Sequence, residues 1–134
     1  MTQTTYLAFA ILWSLGIVVA YSLPGSALPA PPDLIGWDKV AHFGLFAGFG
    51  FLWMRVLHPL RDGDPRTTAP RRMLGFLAIS LCLAAGGEVY QSFLPERNPD
   101  PYDAIANALG VCTTVFLFRW RHPPTPSRRA TSSS

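Results

Sequence analysis

The chain of 134 residues is long enough for one domain, and its charge is sparse. Hydrophobic residues make up 49% of the sequence and charged residues only 14%, against about 25% in soluble globular domains. The net charge of +3 does not indicate nucleic-acid binding, because the basic residues lie between apolar runs as they do in membrane proteins. The composition therefore argues against an ordinary soluble domain and predicts an integral membrane protein.

The first predicted transmembrane helix covers residues 6–23, an 18-residue apolar run in a segment without charge before Asp33. A bilayer core about 30 Å thick needs roughly 20 helical residues, so this run is long enough to span it. A cleavable signal peptide is the alternative, because residues 26–30 (SALPA) resemble a cleavage region. The run lacks a preceding basic segment and exceeds the usual length of about 7–15 apolar residues, so we expect the helix to be retained.

Three more transmembrane helices are predicted, over residues 40–57, 73–93 and 102–120. Proline or charge stands at their ends, as is typical where a helix leaves lipid. Gly44 and Gly48 form a GxxxG pattern on the second helix, which favours close packing of helices. The sequence therefore predicts an all-α domain over residues 1–121, an integral membrane bundle of four transmembrane helices.

The distribution of basic residues predicts the orientation of this bundle. Nine of the 11 lysine and arginine residues lie at one end, in the second-to-third loop, its flanks and the C-terminal segment. Only Lys39 and Arg97 lie at the other end, together with six of the eight acidic residues. Because cytoplasmic loops carry an excess of lysine and arginine, both termini are expected in the cytoplasm. Residues 122–134, rich in proline and serine, are predicted to form a disordered cytoplasmic tail.

Glu88 is the only charged residue in the apolar run 73–89. It lies about six residues from the end of the third helix, hence roughly 9 Å deep at 1.5 Å per residue. A carboxylate is costly in lipid unless it faces partners inside a bundle, and ionisable residues within membrane helices are functional candidates. Gln91 follows three residues later and shares its face of the helix.

Polar residues of two other helices reach a similar depth. His42 follows Asp38 by four residues at the start of the second helix, and Asn107 follows Asp103 by four residues at the start of the fourth. His42 and Asn107 each lie roughly 6 Å deep at the same rise per residue. We therefore expect the three helices to form a polar pocket that opens to the outer leaflet.

Several of these residues also have a simpler interpretation. Asp38 and Asp103 suit the N-terminal ends of helices for capping and dipole reasons. His42 and Lys39 suit an interfacial position, and Arg97 in a loop suits contact with lipid phosphate. The carboxylate in the third helix has no such alternative, because it lies too far from the helix end to cap it.

The polar residues fall into two spaced motifs. The second helix opens with Asp38-Lys39-x-x-His42. The third helix continues into the fourth with Glu88-x-x-Gln91-x-Phe93-x-Pro95-x-Arg97-x5-Asp103-x3-Asn107-x-x-Gly110. Over residues 38–110 the chain resembles the VanZ-like family, small multi-pass bacterial membrane proteins named for a teicoplanin-resistance protein. Glu96 departs from the family pattern, in which glycine is often found between the proline and the arginine.

The resemblance implies a multi-pass protein of the bacterial cytoplasmic (inner) membrane, with a role in the cell envelope and in glycopeptide resistance. It also relates the chain to membrane enzymes that act on phosphate-linked lipid head groups. The expected partners are therefore the lipid bilayer and a membrane lipid or lipid-linked precursor, and no nucleic acid is expected.

The resulting hypothesis is a hydrolase or transferase that acts on the phosphate-linked head group of a lipid or lipid-linked envelope precursor. His42 is the expected general base or nucleophile, since an imidazole is useful near neutral pH once Asp38 or Glu88 orients it. The candidate catalytic residues are His42, Asp38, Glu88 and Asp103. The candidate substrate-binding residues are Lys39, Gln91, Arg97 and Asn107, with the two cations expected to hold phosphate.

The alternatives are a non-catalytic protein that binds a lipid or glycopeptide, and a structural bundle in which the polar layer only fixes helix register. No cofactor is expected. The side chains of Asp38, His42, Glu88 and Asp103 suit a divalent metal by type, but the sequence lacks a compact motif such as H-E-x-x-H. A metal-free site is therefore favoured.

Overall fold

The computed structural model of the chain describes residues 1–27, 36–57 and 70–122. Predictions that concern residues 28–35, 58–69 and 123–134 lie outside the described residues. They include the disordered tail and part of the basic loop on which the predicted orientation depends.

The described residues form four α-helices: α1 (Gln3–Ser22), α2 (Trp37–Leu57), α3 (Pro70–Gln91) and α4 (Pro101–Arg121). A short 3-10 turn follows α1 at Gly25–Ala27. Each helix holds a stretch long and apolar enough to cross a membrane, and the described segments contain no strand. The predicted all-α bundle of four transmembrane helices is therefore confirmed, whereas the cytoplasmic placement of the termini stays a prediction.

Local sequence explains where two of the helices begin. The Asp100 side chain caps α4 by accepting a hydrogen bond from the amide of Tyr102 at 2.9 Å. Pro101 takes the first helical position, where no amide hydrogen is needed. Thr2 caps α1 in the same way, through the amide of Thr5 at 3.2 Å. These contacts satisfy amides that the helices themselves leave without partners.

The third helix ends at Gln91, before the predicted end at Phe93. The amide of Phe93 donates to the carbonyl of Tyr90 at 3.1 Å, and the amide of Leu94 donates to that of Gln91 at 3.0 Å. The chain thus tightens into three-residue turns, which are common at helix ends. The helix thus ends two residues before the approximate predicted boundary, because Pro95 disfavours helical conformation in the residue before it.

Helices α2 and α4 form the centre of the bundle, with α1 beside α2 and α3 beside α4. Buried apolar side chains fill the interior in two clusters that include Phe46, Phe49 and Val111 in the first and Met54, Met73 and Phe118 in the second. Large apolar side chains such as Leu12, Leu74 and Phe116 remain exposed on the outside of the helices. An exposed apolar surface of this extent is expected where a protein faces lipid.

Gly110 permits the close contact between the two central helices. A methyl group at this position would collide with the carbonyl oxygen of Phe43 and lie 2.9 Å from the amide nitrogen of Ala47. One turn further along α4, the hydroxyl of Thr114 donates a hydrogen bond to the carbonyl of Ala47 at 3.0 Å. Backbone therefore meets backbone at the centre of the bundle, as is common where small residues line membrane helices.

The GxxxG glycines of α2 lie on other surfaces. A methyl group at Gly44 would meet nothing within 4 Å among the described residues outside its own helix. Gly48 leaves room for the indole of Trp13 on α1, and Gly87 on α3 leaves room for the ring of Tyr21. Of the two GxxxG glycines, Gly48 therefore permits close packing against α1 and Gly44 does not, because the pattern does not tell which face of the helix a neighbour covers.

Candidate functional site

The predicted site residues converge at one end of the bundle, where the starts of α2 and α4 meet the end of α3. They are Asp38, Lys39 and His42 on α2, Glu88 and Gln91 on α3, and Asp103 and Asn107 on α4. Four of them are buried: Glu88, Gln91, Asp103 and Asn107. Buried polar groups are expected to be hydrogen-bonded or ion-paired, so their partners define what the site can do.

Lys39 ties α2 to α4 through three carboxylates. Its Nζ lies 2.7 Å from Asp38 Oδ2, 2.7 Å from Asp100 Oδ2 and 2.8 Å from Asp103 Oδ1. A lysine ammonium has three donors, so these contacts use all of them. The hydrogen bond from the Lys39 ammonium also holds the pKa of the Asp100 carboxyl below its usual range.

His42 lies between Asn107 and Asp103. Its Nδ1 is 3.2 Å from Asn107 Oδ1, and its Nε2 is 3.6 Å from Asp103 Oδ2. The amide nitrogen of Asn107 donates to the hydroxyl of Tyr21 at 2.6 Å, so the carbonyl oxygen of Asn107 is the atom turned towards the imidazole. A carbonyl oxygen only accepts, so Nδ1 carries the donated hydrogen and neutral His42 keeps its lone pair on Nε2.

Glu88 is a buried side chain without a well-formed hydrogen bond, although the Tyr21 hydroxyl and the Asp100 backbone amide lie close enough to interact with its carboxylate. It is only 7% exposed, and neither carboxylate oxygen accepts a hydrogen bond from any described residue. A carboxylate oxygen of Glu88 nevertheless lies within 4.8 Å of a ring nitrogen of His42 and a carboxylate oxygen of Asp103. We call Lys39, His42, Glu88, Asp103 and Asn107 the polar cluster. A buried carboxylate is tolerated only when it is neutralised or matched by a cation, so Glu88 leaves the cluster incomplete.

Asp38 and Gln91 are less closely tied to this cluster. The side chain of Asp38 is 48% exposed and contacts the neighbouring Lys39 rather than His42. The carboxylate that lies beside the imidazole is instead that of Asp103. Gln91 is buried one turn after Glu88 on α3. The assignment of Asp38 and Gln91 to catalysis and substrate binding stays a prediction.

Arg97 lies in the loop between α3 and α4 and contacts the end of α1. Its Nε donates to the carbonyl of Leu23 at 3.1 Å, and its Nη2 donates to the carbonyl of Ala20 at 2.7 Å. The carbonyls at a helix end have no partner within the helix, and a cation is favourable there. In this structure Arg97 therefore connects α1 to the site end of the bundle, and its predicted contact with phosphate stays a prediction.

Replacing Arg97 with methionine is expected to lower the free energy of unfolding by about 2 kcal/mol, because two carbonyls lose a charged donor. Chemical unfolding of the detergent-solubilised chain, followed by circular dichroism, measures this change. Arg119→Met removes an exposed arginine at the other end of the bundle and should leave the stability within about 0.5 kcal/mol of the original. Similar losses from both substitutions would contradict the role of Arg97 at the end of α1.

The sequence interpretation missed two residues of the site. Tyr21 contacts Asn107 and sets its ring edge-on to that of His42, with ring centroids 6.1 Å apart. It lies in a helix without charged residues, where tyrosine is typical of the membrane interface, so no pattern marked it. Asp100 appeared only as one of several acids near the outer surface, although its position before Pro101 does indicate a helix cap.

An apolar cavity of about 440 Å³ lies between α1, α2 and α3 next to the polar cluster. Its lining includes Ile17, Val18, Phe46, Phe49 and Leu83. Tyr21 also lines it, so the same side chain contacts the cavity and hydrogen-bonds to Asn107. The apolar cavity and the polar cluster are therefore neighbours, and Tyr21 contacts both.

Four membrane-length helices with a polar cluster at one end define a multi-pass membrane protein. A family model described as VanZ/LLP1 matches residues 4–122, and the chain belongs to this family. The resemblance found in the two motifs is thereby confirmed, and the match extends over α1 as well. Membership supports a membrane protein of the cell envelope.

One relative in a curated collection of proteins is an uncharacterized protein of the fission yeast Schizosaccharomyces pombe. It is 36% identical over 111 residues, which are 81% of this chain and 60% of that protein. The chain thus spans about 60% of the length of the curated relative that it matches. No solved structure matches the chain significantly. Because this relative comes from a yeast, the bacterial inner membrane stays a prediction for this chain.

Proposed function

We propose that this chain is a membrane enzyme that acts on the phosphate-linked head group of a lipid or lipid-linked envelope precursor. The observation that carries the proposal is that Tyr21 both lines the apolar cavity and hydrogen-bonds to Asn107 of the polar cluster. A lipid has the same division, with an apolar chain beside a polar head group. The cavity volume of about 440 Å³ lies within the range of small-molecule sites, which supports binding of part of a lipid chain.

His42 is the proposed general base. Its Nε2 faces Asp103 Oδ2 at 3.6 Å, and an imidazole beside a carboxylate is effective near neutral pH. Nε2 would take the proton from a water or hydroxyl group that attacks phosphorus, and Asp103 would stabilise the imidazolium that forms. The imidazolium would then return the proton to the oxygen that leaves when its bond to phosphorus breaks. The proposal is thus an acid–base reaction in which the head group is hydrolysed or transferred.

The proposed phosphate contacts, Lys39 and Arg97, both have protein acceptors. Lys39 contacts three carboxylates, and Arg97 contacts two carbonyls of α1. A phosphate would have to replace one of the acceptors of Lys39, whereas Arg97 uses two of its five N–H donors in these contacts. Among the carboxylates around Lys39, that of Asp38 is the most exposed at 48%, so this contact would exchange at the lowest cost.

Replacing His42 with alanine is expected to slow head-group turnover at least about 100-fold, because general acid–base catalysis contributes at least that factor. The measurement is mass spectrometry of vesicle lipids after incubation with the purified chain. The vesicles would contain phosphatidic acid, phosphatidylglycerol or a polyprenyl diphosphate.

In a bacterial host, the same substitution is expected to abolish the teicoplanin resistance that we propose as the cellular outcome.

Two matched substitutions serve as controls for the turnover assay. His122→Ala removes a histidine after the far end of α4, and Glu96→Gln neutralises an exposed acid of the loop before α4. Both variants should turn over lipid at the original rate. Undiminished turnover by His42→Ala would contradict the proposed chemistry. Lipids that co-purify with the original chain but stay unchanged would identify a binding protein instead.

A structural role is a second candidate, and the contacts of Lys39 favour it. They connect α2 to two acids at the start of α4, so they can fix the register of the central helices. This role predicts that substitutions in the polar cluster change stability and leave vesicle lipids untouched. Glu88 argues against a purely structural role, because a carboxylate without a well-formed hydrogen bond adds nothing to helix register.

A further inference from the structure

We propose that His42, Glu88 and Asp103 bind a divalent first-row transition metal, with Mn²⁺ and Zn²⁺ as the best-suited ions. The inference concerns the site of the proposed function and rests on it for its purpose, namely to bind the phosphate of the substrate. It also refines the chemistry: once His42 Nε2 binds the ion it cannot accept a proton, and a water on the ion would then replace the His42-activated water as the attacking group. The existence of the metal site can be tested without any lipid. The three ligands come from α2, α3 and α4, which explains why the sequence shows no compact metal motif.

The geometry suits a metal with one ligand atom from each residue. The three ligand atoms all lie within 4.8 Å of one another, and His42 Nε2 lies 3.6 Å from Asp103 Oδ2. Metal–ligand bonds of about 2.1 Å in a tetrahedron separate the ligand atoms by about 3.4 Å. Small side-chain movements would therefore close the site around an ion.

The burial of Glu88 distinguishes this site from an ordinary group of exposed acids. It is 7% exposed, its carboxylate points to His42 and Asp103, and neither oxygen has a hydrogen-bond partner among the described residues. A bound cation would offset the charge of the carboxylate, which the weak interactions with the Tyr21 hydroxyl and the Asp100 amide leave unbalanced. The neighbouring group of Asp38, Asp100 and Asp103 differs, because it already holds the Lys39 ammonium.

The other two ligands are oriented as a metal requires. Asn107 accepts from His42 Nδ1 and is itself held by Tyr21, which leaves the lone pair of Nε2 for the ion. Lys39 occupies Oδ1 of Asp103, which leaves Oδ2 on the side of the imidazole. Tyr21, Asn107 and Lys39 are thus positioning residues for the site.

The negative charge of the site explains why a metal would be needed to bind phosphate. Among the described residues, the carboxylates of Asp38, Glu88, Asp100 and Asp103 surround the site with a single lysine between them. Such a site repels a phosphate anion, and all three donors of Lys39 are already engaged by carboxylates. A divalent ion would offset the excess negative charge and polarise a phosphoryl oxygen. One imidazole and two carboxylates favour Mn²⁺ or Zn²⁺ over Ca²⁺, which prefers oxygen ligands alone.

The test is a titration of the full chain in detergent, after removal of metals with a chelator. Mn²⁺ is added alone, and electron paramagnetic resonance measures the signal of the free ion, so that its loss reports binding. We expect about one Mn²⁺ per chain, which added Zn²⁺ displaces. Glu88→Gln and His42→Ala should each weaken Mn²⁺ binding at least tenfold, and Asn107→Leu should weaken it less, through the orientation of His42.

Matched variants and a folding check keep the result interpretable. Glu96→Gln removes an exposed acid and His122→Ala removes a histidine, both outside the three ligands, and each variant should keep the original affinity. Glu88→Gln preserves the size of the side chain, and its elution in size-exclusion chromatography confirms that it folds. A wild-type chain that binds neither Mn²⁺ nor Zn²⁺ would overturn the site, as would folded Glu88→Gln and His42→Ala chains that bind Mn²⁺ unchanged.

The metal inference and the proposed function fail in different ways. Tight Mn²⁺ binding by a chain that leaves vesicle lipids unchanged would support the metal site and overturn the enzyme. Lipid turnover by the metal-stripped chain in excess chelator would support the enzyme and overturn the metal site.

Discussion

Replacing Gly110 with alanine is expected to lower the free energy of unfolding by about 3 kcal/mol. The added methyl group would collide with the carbonyl oxygen of Phe43 and lie 2.9 Å from the amide nitrogen of Ala47. Both atoms belong to the backbone of α2, so a change of side-chain rotamer cannot relieve the contact. The central helices would have to separate, and the hydrogen bond from Thr114 to Ala47 would lengthen. Unfolding of the reconstituted chain in sodium dodecyl sulfate, followed by circular dichroism, measures the loss.

Gly44 provides the matched control for this substitution. It is also a glycine within a helix of the central pair, but a methyl group there would meet nothing within 4 Å among the described residues outside α2. Alanine is favoured over glycine in a helix by up to about 1 kcal/mol, so Gly44→Ala should leave stability unchanged or raise it slightly. Equal losses from the two substitutions would show that helix flexibility, and not the contact of α4 with α2, explains the effect.

The sequence alone is enough to predict the four helices. An apolar run of about 20 residues forms an α-helix in a bilayer, because every backbone hydrogen bond must form within the segment. The depths that the rise per residue gives for His42, Glu88 and Asn107 stay predictions, and Glu88 lies three residues from the end of α3 at Gln91 rather than six. Helix ends are harder, as the early end of α3 shows, because local turns before Pro95 leave no mark in an apolar pattern.

Contacts between helices could not be predicted in the same way. Spacing shows which residues share a face, but the rotation of each helix decides which neighbour that face meets. Asp38 is therefore on the predicted turn of α2 but contacts Lys39, while Asp103 from α4 lies beside His42. Tyr21 was missed for the same reason, because the rotation of α1 is not known from its sequence. That helix has no charged residue to suggest a polar neighbour. Arg97 contacts α1 because the carbonyls at the end of α1 have no partner within that helix. The residues around Arg97 in the sequence do not show which helix end it will contact.

Replacing Lys39 with methionine is expected to lower the free energy of unfolding at neutral pH by about 2 kcal/mol. The substitution leaves Asp38, Asp100 and Asp103 close together without the ammonium that now lies 2.7–2.8 Å from each. Removing one partner of a fully buried pair costs about 3–5 kcal/mol, and we expect less here because 32% of the Lys39 side chain is exposed. Lys39→Arg keeps the charge and should recover most of the loss, whereas Arg72→Met, which removes an exposed cation at the start of α3, should have little effect.

The pH dependence of this loss separates charge from packing. Lys39 lowers the pKa of Asp100 in the folded chain, so this contact contributes stability above the ordinary pKa of an aspartate, about 3.9. The contribution is lost as the pH falls through the lower pKa that Asp100 has in the folded chain, because Asp100 then becomes protonated in the folded state as well. The difference between the original chain and Lys39→Met should therefore be constant from pH 6 to 8 and shrink below about pH 4. Unfolding measured at pH 7 and near pH 3 tests this directly. An equal difference at both pH values would mean that Lys39 stabilises the bundle through its hydrocarbon chain rather than its charge.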